Sequence, residues 1–72
     1  MAINYIPFEG TPTGTIPGNT FVCPVSNIVQ LSVIVNGASL IPSVGYTLSG
    51  ATITLTTSLA TGDSIYVTGL YL

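Results

Sequence analysis

Leu31-Ser32-Val33-Ile34-Val35-Asn36-Gly37-Ala38-Ser39-Leu40-Ile41 is the stretch that decides the fold. A run of aliphatic, mostly β-branched residues stops at Asn-Gly, and a second mixed run follows. Asn-Gly between two such runs is a strong hairpin signal, because a type I′ turn needs positive φ at both central residues. Residues 31–35 and 38–41 therefore read as paired antiparallel strands.

The same grammar extends along the chain. Ser49-Gly50 separates 44–48 from 51–56, and Thr61-Gly62-Asp63 separates 53–57 from 64–68. Apolar residues alternate with Ser and Thr, and no window of helical length shows a 3.6-residue apolar period. Strands are expected at 20–24, 29–36, 38–41, 45–49, 51–57 and 63–70. The predicted fold is all-β: a small antiparallel β-sandwich or half-barrel in residues 20–72.

The two-residue period of a strand assigns faces. Leu31, Val33 and Val35 point to one side. Ile53 with Leu55, Ile65 with Val67, and Val44, Tyr46 and Leu48 complete the expected core. Val22, Ile34, Tyr66, Leu70 and Leu72 fall on the opposite face. A free monomer would expose them, so they are the candidate oligomer interface. Few devices guard the strand edges: there is no Lys, and no charge between Glu9 and Asp63, which leaves Pro24 and Pro42 or a covering neighbour.

Residues 1–19 differ in character. Pro7, Pro12 and Pro17 alternate with Gly10, Gly14 and Gly18. Ile3, Tyr5, Ile6, Phe8 and Ile16 are too apolar for a free linker. The segment reads as an extended N-terminal arm lying on its own domain or on a neighbour, and these five residues are candidates for docking onto a larger particle.

Composition narrows function. The 72 residues hold no Lys, Arg or His, and only Glu9 and Asp63 are charged. A chain without cations cannot neutralise phosphates, so nucleic acid is excluded as a partner. It has no basic patch for an anionic membrane. The start lacks a basic region followed by an apolar run, so no signal peptide is expected, and no segment reads as a membrane span. Two isolated carboxylates and one thiol make a metal site unlikely on composition, and no cofactor motif is present. Cys23 has no His to deprotonate it and reads as a small buried hydrophobe suited to a reducing compartment. No catalytic residue is expected. A net charge of −2 is at the low edge of what keeps a small domain monomeric. A chain of this size buries only about 60% of its unfolded surface, and oligomerisation is one remedy.

These residues resemble a known family. Leu31-Ser-Val-Ile-Val-Asn36-Gly37, Pro42-x-x-Gly45-Tyr46-Thr47, Gly50-x-Thr52-Ile53-Thr54-Leu55 and Leu59-x-x-Gly62-Asp63-x-Ile65-x-Val67 are similar to a small β module of bacteriophage tail-fibre, head-fibre and other virion surface proteins. The resemblance spans about residues 20–70. Gly45 stands where the family often has Asp, and Ser58-Leu59-Ala60 where Ala-Pro is usual. The resemblance implies a virion structural protein, often trimeric, made in the bacterial host cytoplasm.

The expected function is therefore a non-enzymatic capsid decoration, cement, head-fibre or knob subunit. Its partners are copies of itself in a homotrimer and a major capsid or other virion protein. A second expectation is a tail-fibre-type module that binds host glycans through Tyr5, Tyr46, Tyr66 or Tyr71. A third is self-polymerisation by strand addition. Asp63, following Gly62, is expected to accept backbone N–H bonds and hold its turn. Glu9 is either solvated or a docking contact.

Overall fold

The computed structural model of the chain describes residues 4–72. Eight strands follow in order: β1 (Ile6–Gly10), β2 (Thr13–Gly14), β3 (Gly18–Val22), β4 (Ile28–Val35), β5 (Ala38–Ser39), β6 (Tyr46–Ser49), β7 (Thr52–Leu59) and β8 (Ile65–Tyr71). They form two four-stranded sheets, ordered β1-β8-β4-β5 and β2-β3-β7-β6. Every strand pairing within the sheets is antiparallel. The all-β sandwich expected from the sequence is the architecture found. Among the described residues no helix is long and apolar enough to cross a membrane.

The decisive hairpin forms as the sequence predicts. Val35 pairs with Ala38 across Asn36 (φ 51°) and Gly37 (φ 83°), both left-handed as a type I′ turn requires. Asn is among the non-glycine residues that enter this region most readily, and here its side chain is held by the turn before β8. Its Oδ1 accepts from the Ser64 backbone N–H at 2.9 Å.

The core lies between the sheets. The first sheet contributes Val33, Ile65 and Val67; the second contributes Phe21, Tyr46, Ile53, Leu55 and Leu59, with Cys23 just beyond β3. Among the described residues no polar or charged side chain is buried. The Tyr46 hydroxyl reaches across to donate to the Leu31 carbonyl at 3.2 Å, tying the second sheet to β4. Burial pushes the Cys23 thiol up from its ordinary value. Cys23 is the small buried hydrophobe that the sequence suggests.

Two expectations are corrected. Val44 is not a core residue: it is 66% exposed. It sits in a tight turn where the N–H groups of Val44 and Gly45 both donate to the Ile41 carbonyl, so the strand starts only at Tyr46. Leu48 shares the inward side of β6 with Tyr46 yet is 36% exposed. It lines an open groove beside the start of β4, with Ile28, Val29 and Leu31. The arm, expected on its own domain or on a neighbour, takes the first of these places. From Ile6 it is built into the sandwich, with Ile6–Gly10 paired to Tyr71–Val67 and β2 paired to β3. The boundary near residue 19 falls inside β3.

Candidate functional site

Register and alternation assemble two outer faces with different chemistry. On the first sheet, strands β1, β8 and β4 align three rows. Pro7, Leu70 and Gln30 form one; Glu9, Thr68 and Ser32 form the next. The third sets Tyr66 beside Ile34, with Ser39 of β5 beyond it. Two rows with apolar members thus flank a polar row. On the second sheet the outer face is almost wholly hydroxyl: Thr13, Val22, Thr52 and Ser49 in one row, Thr20, Thr54 and Thr47 in the next.

The candidate interface residues are therefore divided. Ile34, Tyr66 and Leu70 share the outer face of the first sheet. Val22 lies on the second sheet, 46% exposed amid threonines. Leu72 follows β8, and its N–H donates to the Asn27 carbonyl at 3.1 Å. Of the docking candidates, Ile3 lies outside the described residues. Phe8 and Ile16 pack against the core of their own domain, while Tyr5 and Ile6 are exposed.

The tyrosines divide too. Tyr46 is buried, and Tyr71 meets Phe8 edge-to-face with centroids 5.9 Å apart and rings at 72°. Tyr5 and Tyr66 are free to stack on a ligand. The Tyr66 hydroxyl donates to Glu9 Oε2 at 2.9 Å, a contact between residues 57 apart in sequence. That hydrogen bond, followed by desolvation and the Glu9 charge, raises the Tyr66 hydroxyl above its usual value.

The other carboxylate has separate work. Asp63 Oδ2 accepts from the Ala60 N–H at 2.7 Å, and Oδ1 accepts from Asn36 Nδ2 at 3.1 Å. It thereby clasps the turn before β8 to the β4–β5 hairpin, the structural role expected of it. Glu9 and Asp63 hold different partners and form no carboxylate pair. Among the described residues no group of His, Cys, Asp and Glu is placed to hold a metal ion.

The Ala60 and Asn36 hydrogen bonds, in that order, hold the Asp63 carboxyl below its ordinary range. A folded-state pKa below the unfolded one stabilises the fold above the unfolded value of about 3.9. The contribution is lost as pH falls through the lower folded value. Asp63→Ala is expected to lower the melting temperature at pH 7 and to lower it less at pH 2. An equal deficit at both pH values in thermal unfolding would contradict the carboxylate's role.

One feature escaped the sequence reading. Val29, Ile41, Val44 and Leu48 are all exposed, and Val29 and Leu48 line an open groove between β4 and β6. Pro42 and Ser43 also line it, with Ser43 in the left-handed region at φ 65°.

No protein-family model matches the chain, and no solved structure matches it. Among curated proteins, 37 residues (51% of the chain) are 49% identical to a capsule K1-specific depolymerase of Klebsiella phage K64-1. The match spans only 4% of that protein's length. Over half its length, then, this all-β chain is similar to a bacteriophage protein.

Proposed function

We propose that this chain is a non-enzymatic structural module of a phage virion, which self-associates through the outer face of its first sheet. The partial similarity to a phage depolymerase carries the reading, and the cation-free composition supports it. Within the virion we assign it to a capsid decoration, cement, head-fibre or knob subunit, homotrimeric as the resemblance implies. Tyr5 and Ile6 are the exposed apolar side chains through which the N-terminal segment would dock on a capsid or other virion protein. Association by burial of neutral surface depends little on screening. Binding of the purified chain to particles lacking it should therefore change less than about threefold between 0.05 and 0.5 M NaCl, read by co-sedimentation. Loss of binding at high salt would contradict a neutral interface.

A second reading is a tail-fibre-type glycan-binding module. The name of the matched protein, capsule-specific, favours it, and Tyr66 is exposed for stacking on a sugar. Binding to capsular polysaccharide that Tyr66→Ala abolishes would support this reading over the first.

A further inference from the structure

We propose that Asn36 is a site of spontaneous deamidation that the fold holds in check. The link from its carboxamide to Asp63 and Ser64 keeps the reaction slow, and opening that link commits Asn36 to aspartate or isoaspartate.

Sequence and position select the residue. The chain has four asparagines, and only Asn36 precedes a glycine. Deamidation begins when the backbone nitrogen of the next residue attacks the side-chain amide carbon. Gly37 has no Cβ to crowd that attack. Tyr5, Thr20 and Ile28 follow the other three asparagines, and their side chains shield the nitrogen. Asn36 and Gly37 are both exposed at the tip of the β4–β5 hairpin, where water reaches them.

In the first step a bond forms between the Gly37 nitrogen and Asn36 Cγ, and the Cγ–Nδ2 bond breaks. Nδ2 leaves as ammonia, with the proton given up by the Gly37 N–H. The product is a cyclic imide, which water then opens. Attack at Cγ gives aspartate. Attack at the Asn36 main-chain carbonyl gives isoaspartate, whose backbone runs through Cγ. Nothing is oxidised or reduced.

The folded chain opposes the first step. Asn36 Nδ2 donates to Asp63 Oδ1 at 3.1 Å, and Oδ1 accepts from the Ser64 N–H at 2.9 Å. The Asn36 N–H also donates to the Ser64 carbonyl at 3.1 Å. The carboxamide is thus pinned at both ends, and Cγ must break these contacts to swing onto the Gly37 nitrogen. The product does not restore them. A carboxylate there sets an acceptor against Asp63 Oδ1 where Nδ2 had donated, and the like charges repel. The chain has no Lys, Arg or His to neutralise the pair. Each conversion therefore frees the hairpin from the turn before β8.

Chymotryptic peptide mapping of the purified full chain at pH 7.5 follows the reaction. Isoelectric focusing follows it independently, because each event adds a third charged side chain to a chain that has only Glu9 and Asp63. Asn36 should convert slowly in folded wild type and faster in urea, with the other asparagines behind it. Asp63→Ala should speed conversion in the folded chain at least about threefold, the change in local opening expected from one lost hydrogen bond. Phe21→Leu weakens the core but keeps the link, and should convert at nearly the wild-type rate. Asn36→Asp should melt below wild type. An unfolded chain that keeps Asn36 intact would overturn the site. A folded rate equal to that in urea, or unchanged by Asp63→Ala, would overturn the restraint. So would equal acceleration in Phe21→Leu and Asp63→Ala, because the reaction would then run through global unfolding. Asn36→Asp melting with wild type would overturn the loss of the link.

Discussion

Gly69→Ala should cost about 3 kcal/mol, the upper part of the range for overpacking, and lower the melting temperature by more than about 10 °C. Gly69 occupies the middle of β8, paired with Phe8 on one side and Leu31 on the other. Its backbone is not left-handed, so conformational freedom is not the issue. Space is. A Cβ there would run into the Gln30 carbonyl oxygen, with the Gln30 carbonyl carbon at 2.9 Å and Phe8 Cε1 at 3.0 Å. The phenyl ring can tilt, but the Gln30 backbone cannot swing aside. It lies next to the register shift between Ile28 and Gln30, where β4 kinks over β8. An added methyl must therefore push apart two of the strands that define the first sheet. A chain of this length is expected to have only about 4–11 kcal/mol of total stability, so the loss is a large fraction. Chemical denaturation measures it; a change within about 0.5 kcal/mol, typical of a neutral surface site, would show that the strands yield easily.

Phe21→Ala should cost more still, about 3–5 kcal/mol. Phe21 is the largest fully buried side chain, on β3 in the heart of the second sheet. Its ring lies across Gly14 of β2, where a Cβ would collide with Phe21 Cδ1 and come within 2.9 Å of Cε1. Truncation leaves a cavity in the core and uncovers a ladder of only two residue pairs, Thr13↔Val22 and Gly14↔Phe21. Hydrogen exchange at β2 should accelerate beyond what the global loss accounts for. Phe21→Leu keeps most of the volume and should cost less than half as much. Near-equal losses for the two variants would mean that ring volume is not what holds β2.

The strand grammar made the fold legible because turn chemistry is local. Asn36-Gly37 demands its turn whatever surrounds it, and the alternation around Val33, Ile53, Leu55, Ile65 and Val67 fixes which face turns inward. What failed depends on lengths and partners that no window of sequence carries. Val44 alternates in phase with Tyr46 but precedes the strand, because the Ile41 carbonyl captures the Val44 and Gly45 N–H groups. Leu48 faces inward but borders an open groove beside the start of β4. Phe8 seemed free to dock elsewhere because its partner, Tyr71, lies at the far end of the chain. The same limit applies to the candidate site. Period two places Ile34, Tyr66 and Leu70 on an outer side, but only the β4–β8 register sets Ile34 beside Tyr66. The bond from Tyr66 to Glu9, which makes that face more than apolar, needed the pairing of β1 with β8.

The most direct test of the account is the native mass of the purified chain by light scattering, with refractive-index detection because there is no Trp. Run across concentration, it should show a discrete oligomer, a trimer on the resemblance. A well-folded monomer at every concentration would contradict the claim that this cation-free sandwich completes itself with its own copies.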